Sequence, residues 1–324
     1  MGAIDDRKEY SLRRMGDLKQ ALLGARKITG TKACVFASGS FGRLEASEHS
    51  DLDPCIVALS TRKKGSKLSL LQEIRLKSEI ILAVERLGLK EIDGDGKYIG
   101  QFTDRSLVDE IGSPIDDSNN TFTTRLLMLL EAKPLTNEDI FNKVRRDIVE
   151  AYWVDFDRYQ NKFVPAYFTN DIIRLWRTFC VNYEARTRKL VGDLRIKKKV
   201  KNYKLKHSRI LTCYSAILYL LSIYSTNGTV TQSNAIEMCA MTPMERLFSL
   251  RGNSDISHAR GTIDNLIEMY DRFLHTASQE TARLEQQIQD NKGYMRDDYK
   301  FGQEMFNAIN SIGGGNEFHR LIIV

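Results

Sequence analysis

A glycine-rich turn between two short apolar runs constrains the fold of this chain more than any other feature. The first run, Lys32 to Ala37, has the length of one strand, and Ser38-Gly-Ser-Phe-Gly42 then breaks it. The second run, Asp51 to Leu59, begins Asp-Leu-Asp-Pro. Residues i and i+2 of a strand share a face, so its two carboxylates are predicted to lie together while the intervening leucine points into the core.

The residue types in this stretch suit a nucleoside triphosphate and its metal ions. Gly39 permits backbone angles that other residues resist, Ser40 adds a hydroxyl, and Arg43 adds planar donors that match phosphate. Two carboxylates on one face repel each other unless a cation lies between them, and hard oxygen ligands suit Mg²⁺ or Mn²⁺. The spacing therefore predicts a phosphate-binding turn followed by a metal site at Asp51 and Asp53. The patterns of a P-loop and of a dinucleotide fingerprint are both absent.

Composition argues against several other classes of protein. With 324 residues, 42% of them hydrophobic, the chain can fill a core in each of two domains. Five scattered cysteines without a CxxC pair indicate reduced thiols. The polar start lacks the apolar core of a signal peptide, and the most apolar run, Ile210 to Tyr224, is too short for a membrane span and predicts a buried helix. We therefore expect a cytoplasmic protein with no membrane partner.

The pattern of apolar residues changes along the chain. Up to about residue 105, short strand-like runs alternate with helical stretches, and beyond it nearly every segment has helical spacing. We predict an α+β protein in which residues 1–150 form a unit of strands and helices and residues 151–324 form an all-helical domain. The boundary is expected between Gly112 and Asn120 or between Ala151 and Thr169.

Three further segments carry structural predictions. Leu89 to Ile92 and Tyr98 to Thr103 are predicted as the third and fourth strands, on either side of the turn Asp93-Gly-Asp-Gly-Lys97. Leu321 to Val324 is predicted to tuck into the core or to pair as a strand. Leu68 to Gly88 has helical spacing, and its buried face is predicted to contain Leu71, Ile74, Ile81, Val84 and Leu87.

The turn and the two aspartates together form a motif. Gly39-Ser40, ten intervening residues and Asp51-Leu-Asp53 resemble the signature of the DNA polymerase β-like nucleotidyltransferases. Within that superfamily, Gly39-Ser-Phe-Gly-Arg-Leu-Glu45 with Ser50-Asp-Leu-Asp53 is most similar to the branch of the PII-uridylyltransferases and their bacterial relatives. Thr124 to Leu135, followed by Asn137-Glu-Asp-Ile-Phe141, is similar to the helix and turn that follow the catalytic sheet there. The resemblance covers roughly residues 30–150.

The resemblance implies a fold, a substrate and a reaction. It implies a small mixed sheet flanked by helices, a triphosphate bound by Gly39, Ser40 and Arg43, and Mg²⁺ held by Asp51 and Asp53. The reaction would be nucleotidyl transfer, in which an acceptor attacks the α-phosphorus and pyrophosphate leaves.

Other residues complete or depart from the family pattern. Many relatives use a third carboxylate near the acceptor, and here Asp93 is the candidate, with Asp95, Asp104 and Glu91 left open. Ser50 is a further candidate for cofactor binding, since it could orient the aspartates.

Two features of the sequence depart from the family pattern and limit what the resemblance implies for this chain. Pro54 removes a ladder donor, so we expect the strand to bulge there. The chain has no His-Asp doublet for phosphohydrolase chemistry, so regulation by PII is not implied.

A basic segment, Arg195 to Arg209, is the second feature of chemical interest. It holds eight Lys or Arg residues and no acid. Lysines can neutralise phosphates and an interleaved tyrosine can stack on a base, whereas the alternative is a solvated basic loop between helices. The candidates for phosphate or nucleic-acid contact are Lys197, Lys198, Lys199, Lys201, Tyr203, Lys204 and Arg209.

Together these features predict a transferase that uses Mg²⁺ or Mn²⁺ to move a nucleoside monophosphate from a triphosphate to an acceptor. The net charge of +6 and the basic segment favour a nucleic-acid end or a nucleotide as acceptor. A protein hydroxyl is left open as acceptor. A nucleic-acid or nucleotide acceptor would suit a toxin or a defence enzyme. The helical domain is expected to select the acceptor or to form a homodimer. The alternative is a catalytically degraded module that senses a nucleotide or binds nucleic acid.

Overall fold

The computed structural model describes residues 2–61, 65–92, 99–189, 192–279, 281–290 and 293–323. These residues form two compact units. The first unit comprises Asp5–Ala151, and the second comprises Gly2–Ile4 together with the chain from Tyr152 onward. The protein is of mixed α+β class, and every strand among the described residues lies in the first unit.

The first unit contains a small sheet with helices before, between and after its strands. The strands are β1 Ala33–Ser38, β2 Asp53–Ala58, β3 Gly100–Thr103 and β4 Lys133–Thr136. The helices are α1 Ala3–Ala21, α2 Leu23–Thr29, α3 Gly39–Gly42, α4 Leu70–Arg86, α5 Asp104–Asp109, α6 Ile115–Ser118, α7 Thr121–Leu130 and α8 Glu138–Tyr152.

The sheet is mixed, as predicted, and its strand order is β3-β2-β1-β4. β1 pairs antiparallel with both β2 and β4, and β2 pairs parallel with β3. β4 was not predicted, because a proline in a run of four residues argues against a strand except at the edge of a sheet, where β4 lies. The strand predicted over Leu89–Ile92 is wrong, since in these four residues only Lys90 forms a bridge, with Asp51.

The bulge expected at Pro54 is also wrong. The β1–β2 register runs without a shift from Ala33 opposite Ala58 to Ser38 opposite Asp53. The ladder between β2 and β3 begins only at Cys55, so Pro54 has no partner on that side that needs its N–H. The register shift in this sheet lies instead between β1 and β4, at Val35/Phe36.

Helix α4 buries only part of the face predicted for it: Val84 is buried and Leu87 is partly buried, as predicted. Its N-terminus carries a capping box in which Ser69 and Gln72 satisfy each other's backbone amides. Leu71, Ile74 and Ile81, which were predicted to be buried, are exposed. Both faces of this helix are apolar, so periodicity alone could not choose between them. The packed face, which joins the core around β1 and β2, contains Leu76, Ile80, Ala83 and Val84.

The second unit is helical throughout its described residues. Its helices are α9 Phe156–Tyr159, α10 Ala166–Thr187, α11 Gly192–Asn227, α12 Gln232–Ala240, α13 Pro243–Gly252, a 3₁₀ helix Ser254–Ala259, α14 Arg260–Ala277, α15 Thr281–Asp290, α16 Gly293–Gly313 and α17 Glu317–Ile323. The basic segment lies within α11 and is therefore helical, so the alternative of a loop is wrong. The tail forms α17, so the alternative of a strand is wrong there too.

The middle of α11 is the most apolar part of the chain. Within the described residues, Ile196–Asn227 is the one helix long and apolar enough to cross a membrane, by length and composition only. Most of its apolar window, 72%, is buried inside the protein. Core helices of globular units have the same character.

Candidate functional site

The turn after β1 packs directly against Asp53, the first residue of β2. Ser38 and Asp53 are cross-strand partners, and the Ser38 hydroxyl donates to the Asp53 carbonyl oxygen at 3.3 Å. The next residue, Gly39, has φ +65°, a conformation that side chains rarely adopt. A Cβ added to Gly39 would overlap Oδ2 of Asp53. The backbone angle favours glycine at this position, and a larger residue would also displace the Asp53 carboxylate.

Asp51 and Asp53 flank a buried leucine, as the alternation of the strand predicts. Leu52 is 1% exposed, whereas Asp53 is exposed and Asp51 is partly exposed. Lys90 Nζ lies 3.9 Å from Asp51 Oδ2, and the lysine side chain is 60% exposed. An ion pair at this distance in water is weak and leaves the carboxylate accessible to another cation.

The two aspartates offer hard oxygen donors and nothing softer. Mg²⁺ is commonly held by one or two carboxylates together with substrate phosphates, so the pair fits this ion. In the part of the chain that is described, no group of three or more His, Cys, Asp or Glu residues could form a complete protein cage for a metal. The neighbouring Cys55 is a free thiol, and burial, with the charge of Asp53, raises its pKa to about 12, which keeps it protonated.

Arg43 is buried between two carboxylates instead of pointing to solvent. Its side chain lies 2.7 Å from Glu45 Oε2 through Nε and 3.1 Å from Glu131 Oε2 through Nη1. Glu131 also accepts the backbone N–H of Gly39, at 2.9 Å from N to Oε1. Two of the groups predicted to contact phosphate are thus engaged within the protein. The role of Glu131 was not predicted, and its one signal in the sequence is an acid directly after the apolar run that ends α7.

The remaining carboxylate candidates lie in different places. Asp104 follows β3 at the end where Thr103 pairs with Ala58, about 17 Å along the strand from Asp53, and it accepts from the N–H and the hydroxyl of Ser60. It is therefore not the third carboxylate. Glu91 is exposed and follows Lys90, the bridge partner of Asp51. Asp93 and Asp95 lie outside the described residues.

Ser50 belongs to the turn that leads into the two aspartates. Its hydroxyl accepts from the backbone N–H of Ser47 at 3.0 Å, and its own N–H donates to the Ser47 carbonyl oxygen. In this arrangement Ser50 shapes the loop before Asp51.

The basic segment divides into exposed lysines and a buried aromatic residue. Tyr203 is 5% exposed and packs against His207 and Phe273, with ring centroids 4.7 Å and 5.4 Å away. It cannot stack on a base, so that prediction is wrong. Arg209 lies over the ring of Phe179, 4.9 Å from its centroid. Lys198 is partly exposed, and the exposed lysines are Lys197, Lys199, Lys201 and Lys204.

No protein-family model, no curated protein and no solved structure matches this chain. Functional assignment therefore depends on the geometry of the turn and the two aspartates.

Proposed function

We propose that the first unit is a metal-dependent nucleotidyltransferase. The observation that carries this proposal is the contact between Gly39 and Asp53: a glycine with φ +65° lies against the carboxylate of an aspartate, and a second aspartate stands two residues earlier. A turn with close backbone approach beside two accessible carboxylates suits a triphosphate with its divalent cation. The four-stranded mixed sheet agrees with the fold that the family resemblance implies.

Each residue then has a stated role. Asp51 and Asp53 would hold Mg²⁺ or Mn²⁺, which would neutralise charge on the triphosphate. Ser40 would contact a phosphate oxygen, and Gly39, whose N–H is held by Glu131, would let the turn approach the phosphates closely. The acceptor oxygen forms a bond to the α-phosphorus, the bond to the pyrophosphate oxygen breaks, and the acceptor proton passes to a base or to water. Arg43 and Ser50 support the turn in this scheme and need not touch the substrate.

The acceptor is proposed to be a nucleic-acid end or a nucleotide. The exposed lysines of α11 support this class because they can neutralise phosphates and release counterions. A protein hydroxyl remains an outcome that the assay below can detect. Modification of RNA or of a nucleotide would suit a toxin or a defence enzyme that acts in the cytoplasm.

Transfer of an α-labelled nucleoside monophosphate tests the proposal directly. The full chain is incubated with each of the four labelled triphosphates, Mg²⁺ or Mn²⁺, and pooled RNA, DNA, nucleotides or lysate protein. We expect label in one acceptor pool and a loss of at least about 10³-fold in Asp51→Asn/Asp53→Asn. A Lys90→Gln variant, which removes the weak partner of Asp51, should retain activity within about threefold. Absence of label with all four triphosphates would overturn the proposal.

A non-catalytic nucleotide-binding module is the second candidate. The observation that favours it is that the Gly39 N–H and the Arg43 guanidinium both bind Glu131. Such a module would bind a triphosphate without turnover. Calorimetry with and without Mg²⁺ separates the two, since the transferase requires metal-dependent binding and release of pyrophosphate.

A further inference from the structure

Glu131 is a buried acid that the motif and its spacing do not single out. It follows the last residue of α7, lies just before β4, and is 2% exposed. β4 pairs antiparallel with β1 through Ala37 and Lys133, and this register continued by two residues brings Glu131 opposite Gly39. The topology therefore delivers a carboxylate to the turn from a position 92 residues away in the sequence.

Both carboxylate oxygens of Glu131 are used on this turn. Oε1 accepts the N–H of Gly39, and Oε2 accepts from Arg43, which also donates to Glu45. Hydrogen bonds to a charged acceptor in a buried site are strong and directional. Glu131 therefore fixes the orientation of the peptide group that joins Ser38 to Gly39.

Gly39 connects this network to the metal-binding pair. Its N–H is held by Glu131, and its α-carbon lies against the carboxylate of Asp53. At the other end of the turn, a Cβ on Gly42 would overlap the carbonyl oxygen of Glu131, so the backbone of Glu131 packs there as well. One residue thus supports both ends of the turn.

We propose that Glu131 is a positioning residue for triphosphate binding. It holds the turn of Gly39 and Ser40 beside Asp53 in the geometry that receives the phosphates, and it does not itself touch the substrate. This inference rests on the proposed nucleotidyl transfer.

Steady-state kinetics of Glu131→Gln in the full chain test the inference. Glutamine keeps the volume but offers one acceptor oxygen to two donors, so either Gly39 or Arg43 loses its hydrogen bond to residue 131. We expect the KM for the triphosphate to rise about 10- to 100-fold. We expect kcat to stay within about threefold, because the turn contacts the phosphates equally in the ground state and the transition state.

Asp116→Asn is the matched control. Asp116 and Arg125 form another fully buried carboxylate–guanidinium pair of the first unit, at 2.5 Å, away from the turn. Both variants should lower the melting temperature, but Asp116→Asn should leave the KM unchanged. A wild-type KM in Glu131→Gln, or an equal KM increase in Asp116→Asn, would overturn the positioning role. A wild-type protein that transfers nothing would instead overturn the proposed function.

A double variant, Arg43→Gln/Glu131→Gln, covers failure of Glu131→Gln to fold. The amide oxygen of the glutamine introduced at position 131 can accept from Gly39, while its NH₂ group donates to the glutamine introduced at position 43. The amide of that second glutamine can in turn donate to Glu45. Because Gly39 keeps its acceptor, we expect a KM within about threefold of wild type. A tenfold or larger increase would contradict the proposal.

Discussion

Two segments were predicted to be functional, for different reasons, and they fold in different ways. They are Ala37 to Pro54, which contains the turn and the two aspartates, and the basic segment from Arg195 to Arg209. In the turn, glycine and aspartate come together at one strand end, where the glycine needs φ +65°. The basic segment lies in one continuous helix, which places its residues on different faces, so that Tyr203 is buried while Lys197 and Lys201 are exposed. The spacing of glycine and aspartate therefore predicted which residues lie together, whereas the composition of the basic segment did not predict which residues are exposed.

Among the variants that test this comparison, replacement of Gly39 is expected to have the largest effect on triphosphate binding. In Gly39→Ala, the Cβ must enter the space of Asp53 Oδ2 and the backbone must keep a positive φ. We expect triphosphate affinity, measured by calorimetry with Mg²⁺, to fall about 100-fold. We also expect a loss of about 1–3 kcal/mol in the free energy of unfolding.

Gly16→Ala is the control for the glycine variant. A Cβ at Gly16, inside α1, meets no atom within 4 Å, so alanine there should stabilise the helix by about 0.5–1 kcal/mol and leave binding unchanged. If Gly39→Ala binds the triphosphate as tightly as wild type, the turn does not form the binding site.

Much of the first unit follows from local rules. The alternation of Asp51, Leu52 and Asp53 predicted which side chain would be buried, because the side-chain period of a strand is two. The mixed sheet was instead expected from the family resemblance. Periodicity predicted only part of the buried face of α4, where two apolar faces exist and packing against α2 and the core around β1 and β2 selects one.

Other parts of the site depend on contacts distant in sequence. Glu131 reaches Gly39 through the pairing of β4 with β1, and β4 itself was not predicted. Arg43 was expected to face phosphate, but a charged side chain with two nearby buried carboxylates is held between them. Of these two partners, Glu45 lies two residues from Arg43, whereas Glu131 is brought there by the topology of the sheet, which no local pattern in this chain encodes.

The helix that contains the basic segment should lose stability in acid through His207. Its ring stacks on Phe273 and Phe301, with centroids 4.5 Å and 5.1 Å away. Burial lowers its pKa to about 4, while its bond to the Tyr203 carbonyl oxygen and the charge of Asp297 act to raise it and Lys206 acts to lower it. Because the folded pKa lies below the ordinary 6.5, the stabilisation is complete above about pH 6.5. It falls by about 3 kcal/mol as the pH drops to about 4.

Hydrogen exchange of the α11 amides, corrected for intrinsic rates, measures this loss. His207→Gln should flatten the dependence between pH 6.5 and 4, whereas His258→Gln, at an exposed position, should preserve it. Unchanged protection of the wild-type α11 amides down to pH 4 would contradict the packing of His207 as a neutral core residue.

The smallest stability effect is expected at the exposed lysines, where function and stability can be separated. Lys197, Lys199 and Lys201 are exposed on α11, so Lys197→Gln/Lys199→Gln/Lys201→Gln should change the free energy of unfolding by no more than about 0.5 kcal/mol. If these lysines neutralise acceptor phosphates, the slope of log affinity for single-stranded RNA against log salt should become about two units less steep. An unchanged slope would make these three lysines solvated residues of the helix with no role in binding, and the two segments would then differ in function as they do in structure.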